Sequence, residues 1–187
     1  NNLAISHELT TNYDQALDYN FQSLEVRKLE GNPLDLSIGY NNIGVVYQGL
    51  KDFEHALKYY NLSYETIEKN NISHGAVLCL INIGIILNEL ARLDEAIEKL
   101  DKAISLCQNE CEPQVMVLAH NAIGNSYLRT GRVDKAEFNF LKSIDIARQI
   151  DYPEHLINSL RSLARVDMKK KDFSAALNYL DEAQELA

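Results

Sequence analysis

Two rows of side chains in this sequence have types and spacings that could do chemistry. Asparagines stand at Asn2, Asn42 and Asn82, each 40 residues from the last, and the slot before them holds Asn1, Asn41 and Asn121. A primary amide carries a donor and an acceptor together, which matches the backbone C=O and N–H of an extended peptide. Such a row holds a peptide without reading its side chains. Ile85, Asn88 and Asn125 continue it along the same helical stripe. The second row is basic. Arg161, Arg165 and Lys169 follow one another at intervals of four, which puts them on one helix face, and Arg129 stands one period before Lys169. That face suits an acidic side chain, a phosphate or a C-terminal carboxylate. The competing readings are a solvated helix face, or one covered by further chain, and for the asparagines simple surface or turn-capping roles.

Other reactive types lack the spacing that catalysis or metal binding needs. The histidines (His7, His55, His74, His120, His155) are scattered without a Ser or Cys partner, and His120 falls in a core slot. Gly31-Asn32-Pro33 is a turn between helices, since a phosphate loop needs a glycine-rich run and a lysine. Cys107 continues an apolar stripe and reads as a buried reduced thiol, while Cys111, beside Pro113, has no second ligand pair for a metal. With Cys79 the count is three, an odd number without a disulfide framework. No catalytic residue, metal or cofactor is expected, and reduced cysteines favour a cytoplasmic location. The net charge of -9 argues against a nucleic-acid surface. No membrane partner is expected either, because the longest apolar run, Gly75 to Leu87, is too short to span a bilayer.

These residues need scaffolding elements, and the elements repeat. Ala16, Ala56, Ala96, Ala136 and Ala176 are 40 apart, as are Ala4, Gly44, Gly84, Gly124 and Ala164. The apolar stripe of Leu80, Ile83, Gly84 and Leu87, followed after a short link by Leu93, Ala96, Ile97 and Leu100, describes a helical hairpin. Small residues at its waist let the two helices approach closely. Pro33, Pro113 and Pro153 keep the register, with Ser73 in the fourth slot, and proline is tolerated in a helix's first turn. The spacing predicts ten helices in five units: first helices near 1–10, 34–50, 73–90, 113–130 and 153–170, second helices near 13–29, 53–69, 93–109, 133–149 and 173–187. Asn12, Asp52 and Asp172 are the expected N-caps of second helices. Neither end reads as a polar cap, and the chain starts without Met, so it reads as a fragment of a longer protein.

The repeated pattern resembles the tetratricopeptide repeat. It is carried by Tyr40, Ile43-Gly44, Tyr47, Ala56, Tyr60 and Ser63 in the second unit, and by Ile123-Gly124, Tyr127, Ala136, Phe140 and Ser143 in the fourth. The unit is 40 residues, as in the long form found in kinesin light chains, spindle-orientation adaptors and bacterial signalling proteins. The tryptophan common early in the first helix is replaced by Tyr40, Leu80, His120 and Leu160. The resemblance implies an all-α, right-handed α-solenoid in one domain, with repeats at about 1–32, 33–72, 73–112, 113–152 and 153–187. It implies a non-catalytic scaffold that binds a peptide or protein segment in a concave groove lined by first helices, within a signalling or regulatory protein. In that groove would lie Asn41, Asn42, Asn82, Ile85, Asn88, Asn121, Asn125, Arg129, Arg161, Arg165 and Lys169. The alternatives are a regulatory region of a kinase, cyclase or transcription regulator whose output domain lies elsewhere, and self-association through uncapped terminal repeats.

Overall fold

The computed structural model describes residues 2–72, 75–107 and 111–187, with side chains from residue 12 onward. Asn1, Ser73 and His74 lie outside the described residues, as do the side chains of Asn2, Leu3, Ala4, Ile5 and His7. Among the described residues there are nine helices and no strand. They fall into two compact units, Asn1–Leu90 and Ala91–Ala187.

The first unit contains α1 (Asn2–Glu30), α2 (Pro33–Gly49), α3 (Phe53–Lys69) and α4 (Ala76–Glu89), each packed on the next. α1 is continuous where two helices near 1–10 and 13–29 were expected, so Asn12 lies inside a helix and caps nothing. The reason lies in the turn slot. Lys51, Ala91, Gly131 and Lys171 all adopt φ between 59° and 77° to reverse the chain within a repeat. The same slot in the first repeat holds Thr11, whose branched β-carbon makes that conformation costly. The remaining caps follow the sequence. The Leu34 N–H donates to Asn32 Oδ1 at 3.0 Å, and the His55 N–H donates to Asp52 Oδ1 at 3.3 Å. Gly44 forms the waist of the α2–α3 hairpin, since a Cβ there would stand 2.7 Å from the buried Tyr60 ring. Ser63 of α3 ties both neighbours together: its hydroxyl donates to Ser37 O of α2 at 2.8 Å and lies 3.2 Å from Cys79 Sγ of α4. Beside this core Tyr47 stacks between Tyr59, at 5.5 Å, and His55, at 5.0 Å.

The second unit contains α5 (Leu93–Cys107), α6 (Pro113–Arg129), α7 (Val133–Gln149), α8 (Pro153–Lys170) and α9 (Phe173–Glu185). Successive helices pack together, and the two first helices α6 and α8 also meet. The waist and tie recur two repeats further on. A Cβ on Gly124 would stand 2.7 Å from the Phe140 ring. Ser143 Oγ donates to Val117 O at 3.2 Å and lies 3.0 Å from Ser159 Oγ. Asp172 caps α9 through the Ala175 N–H at 3.0 Å. His120 is packed as expected, 9% exposed, with Nδ1 2.8 Å from Asn139 Oδ1. Burial pushes its pKa below the usual histidine value, and the Asn139 hydrogen bond opposes this in part.

Two further features lie outside what the sequence reading expected. Cys107 is not a reduced thiol: it is bonded to Cys111, with Cα atoms 5.1 Å apart. That Cα separation lies within the range a disulfide bridges. Cys79 is the free cysteine among the described residues, buried, its pKa raised by that burial. The second feature is Asp167, 6% exposed, whose Oδ2 has no hydrogen-bond partner. It occupies the slot filled by Tyr47, Leu87 and Tyr127 in other repeats. Burial raises its pKa, and the carboxylates of Glu137 and Asp172 raise it further, while Lys170 pulls the other way.

Candidate functional site

In the first unit the asparagine row lies on α2 and α4. Asn41 and Asn82 are half-buried, and the Asn82 amide Nδ2 donates to Asn41 Oδ1 at 3.1 Å. This bond joins equivalent faces of successive repeats. It leaves Asn41 with its amide protons and Asn82 with its carbonyl oxygen, one donor and one acceptor side by side. Asn42 is exposed, Val45 is 51% exposed, and Ile85 is half-buried. Asn88 is 6% exposed and so does not stand in the open with them. It lies two turns from Ile81, which is 1% exposed, and two turns of helix return nearly to the same side. Gln48, which shares the slot of Asn88, is also engaged: Tyr60 OH donates to its Oε1 at 2.7 Å.

In the second unit the equivalent slots lie on α6 and α8, with different chemistry. Asn121 Oδ1 accepts from Ser159 Oγ at 3.0 Å, again across a pair of first helices. Asn125 donates one of its two amide protons to Asn121 O at 3.0 Å, on its own helix backbone. The basic residues separate into two roles. Lys169 Nζ donates to Leu128 O at 3.0 Å, so it satisfies a carbonyl of α6's last turn. Arg161 and Arg165 are exposed, and among the described residues neither has an ion-pair or hydrogen-bond partner. Two guanidiniums one turn apart, both accessible, present the forked donors that bind carboxylate or phosphate well. Arg129 is exposed at the end of α6.

Ser159 and Cys79 escaped the sequence reading, although a signal was present. Gly39, Cys79, Ala119 and Ser159 form a slot that is small and buried in every repeat from the second to the fifth. Among the described residues no three His, Cys, Asp or Glu side chains converge in a way that could hold a metal. No described helix is long and apolar enough to cross a membrane.

Comparison with known proteins agrees with this architecture. The family described as Tetratricopeptide repeat matches residues 1–69, 35–109, 75–149 and 114–187. Response regulator aspartate phosphatase A of Bacillus subtilis is 26% identical over 148 residues, which cover 79% of this chain and 37% of that protein. Tetratricopeptide repeat protein 29 of Trypanosoma brucei brucei is 21% identical over 150 residues, 80% of this chain and 31% of that protein. The chain therefore spans about a third of the length of these curated relatives. The structure of a Rap protein complexed with competence and sporulation factor superposes with a TM-score of 0.82 at 16% identity, covering 98% of this chain and 51% of that one. Its helix pairs, packed consecutively through glycine and alanine waists, are tetratricopeptide repeats, and the chain belongs to the tetratricopeptide repeat family.

Proposed function

We propose that this chain is a non-catalytic interaction module that binds a peptide or protein segment on the first-helix stripe of a unit. The observation that carries this reading is the Asn82–Asn41 amide pair, which leaves amide donors on Asn41 and an acceptor on Asn82, the two kinds of group a peptide backbone needs. In the first unit Asn41, Asn42, Asn82 and Ile85 suit the backbone of an extended peptide. In the second unit the accessible Arg161 and Arg165 guanidiniums favour a ligand with an acidic group, and Asn121 and Asn125 offer it the amide groups left to them. Arg129 lies at the rim, and Lys169 and Asn88 serve the scaffold. A solved relative complexed with competence and sporulation factor supports a ligand of this kind.

Selection from a displayed peptide library tests the proposal. Wild type should enrich peptides, acidic ones among them; Arg161→Glu/Arg165→Glu should lose the acidic bias, and Asn41→Ala/Asn82→Ala should lose the peptides that bind the first unit. Identical selections from wild type and both variants, each still folded, would sink the reading. A second reading is favoured by the relatives' greater length: the chain as the sensory part of a longer regulator or enzyme. Peptide binding by this chain with output measured in the whole protein separates the two.

A further inference from the structure

The covalent bond in the second unit lies away from these faces. Cys107 closes α5, and Cys111 stands two residues before Pro113 opens α6, so the disulfide spans the joint between two repeats. Equivalent joints carry backbone hydrogen bonds and no disulfide among the described residues. The Ile72 N–H donates to Ile67 O at 3.0 Å, and the Tyr152 N–H donates to Ala147 O at 2.9 Å. Ile67 and Ala147 occupy the slot of Cys107, while Asn71 and Asp151, with φ of 52° and 51°, occupy that of Cys111. The cross-link therefore joins the two positions that frame this turn throughout the chain.

Its two sulfurs are unequally placed. Cys107 is 2% exposed, whereas Cys111 is half-buried, so a soluble thiol meets the Cys111 sulfur first. A bond that closes so short a loop does little to restrain the unfolded chain, because that restraint grows with loop length. Its effect falls on the native joint instead. Cys79 is buried against Ser63, at 3.2 Å, and burial raises its pKa, so it does not compete for soluble disulfides.

We propose that Cys107 and Cys111 are a reversible thiol–disulfide site, responsive to low-molecular-weight thiols, that sets how firmly the first turn of α6 is held against α5. In the reducing direction a soluble thiolate attacks the Cys111 sulfur, the bond to Cys107 breaks, and Cys107 leaves as a thiolate that takes up a proton. A second soluble thiol then resolves the mixed disulfide. Two soluble thiols become one soluble disulfide, and the protein gains two thiols. The reverse reaction uses the soluble disulfide as its oxidant. None of this depends on the peptide reading.

The test equilibrates the full chain in glutathione buffers of stepped ratio, quenches with a maleimide polymer, and follows hydrogen exchange over the start of α6. The pair should pass from oxidised to reduced within the glutathione series, with Cys79 unlabelled until the protein is denatured. Exchange in the first turn of α6 should rise about threefold or more on reduction, because local opening there loses its tether. Cys111→Ser, at the half-exposed position, should exchange like the reduced form in every buffer. A pair that stays oxidised in the most reducing buffer, or reduced in the most oxidising, overturns the proposal. So does exchange at α6 that is the same in both states.

Discussion

Replacing Asp167 with Asn should stabilise the second unit at neutral pH and leave it unchanged in acid. Asp167 is 6% exposed, its Oδ2 has no partner, and the nearest cation, Lys170, is already bonded to Glu137 at 2.5 Å. Leaving a buried polar atom unsatisfied costs about 1–3 kcal/mol. Exposed Asp172, whose carboxylate acts on the group, keeps water close to it, so the lower part of that range, roughly 1–2 kcal/mol, applies. The carboxyl's pKa is raised above its ordinary value of 3.8 by burial and then by Glu137 and Asp172. Below 3.8 both folded and unfolded forms carry the proton, and no penalty exists. As pH rises towards the elevated folded value, the folded state binds more protons than the unfolded one, so stability falls until the penalty is complete. Asn imitates the protonated form and has an amide that can donate to Glu137. Urea unfolding followed by far-ultraviolet circular dichroism, repeated across the acid range, measures the difference. In thermal melts at neutral pH the same gain should appear as a Tm higher by about 2–4 °C per kcal/mol. No gain at neutral pH, or an equal gain at every pH, would refute the reasoning.

Three other outcomes follow from the same geometry. Gly44→Ala and Gly124→Ala each drive a methyl to 2.7 Å from an aromatic ring, and each should lower unfolding stability by about 1–3 kcal/mol in denaturant titrations. His120 is held neutral by burial, so its contribution is complete above 6.5 and is lost as pH falls from there towards its depressed folded value. His120→Gln should flatten the stability profile in that window, as read by thermal melts at stepped pH. Lys169→Ala removes the ammonium bonded to Leu128 O, and should cost about 0.3–1 kcal/mol, with most of the loss absent at high salt.

Much of the scaffold is legible in the residues, and each case has a local cause. Pro33, Pro113 and Pro153 open α2, α6 and α8 because a first-turn residue needs no N–H partner. Asp52 and Asp172 cap their helices because a short carboxylate reaches the orphan N–H groups. Gly44 and Gly124 face Tyr60 and Phe140 because a periodic small slot opposes a periodic large one. The failures are local too. A uniform register placed a turn at Thr11, where a branched side chain resists positive φ, and the helix runs through. Of the candidate site, the register located the stripes of Asn41, Asn82, Arg161 and Arg165, but gave Lys169 and Asn88 the same role.

The sequence alone determines that apolar and small residues recur every 40 positions, which is enough to specify paired helices stacked in series, because burial requires only that matching faces meet. It does not determine which polar side chains remain available. That depends on distances between residues 38 or 41 apart in the chain: Ser159 taking Asn121, Asn82 meeting Asn41, Lys169 reaching Leu128. Hydrogen bonds act over about 3 Å, whereas a repeat places its residues only to the nearest helix face. Tertiary structure alone therefore separates polar side chains that stay accessible, such as Arg161 and Arg165, from those already committed to the fold.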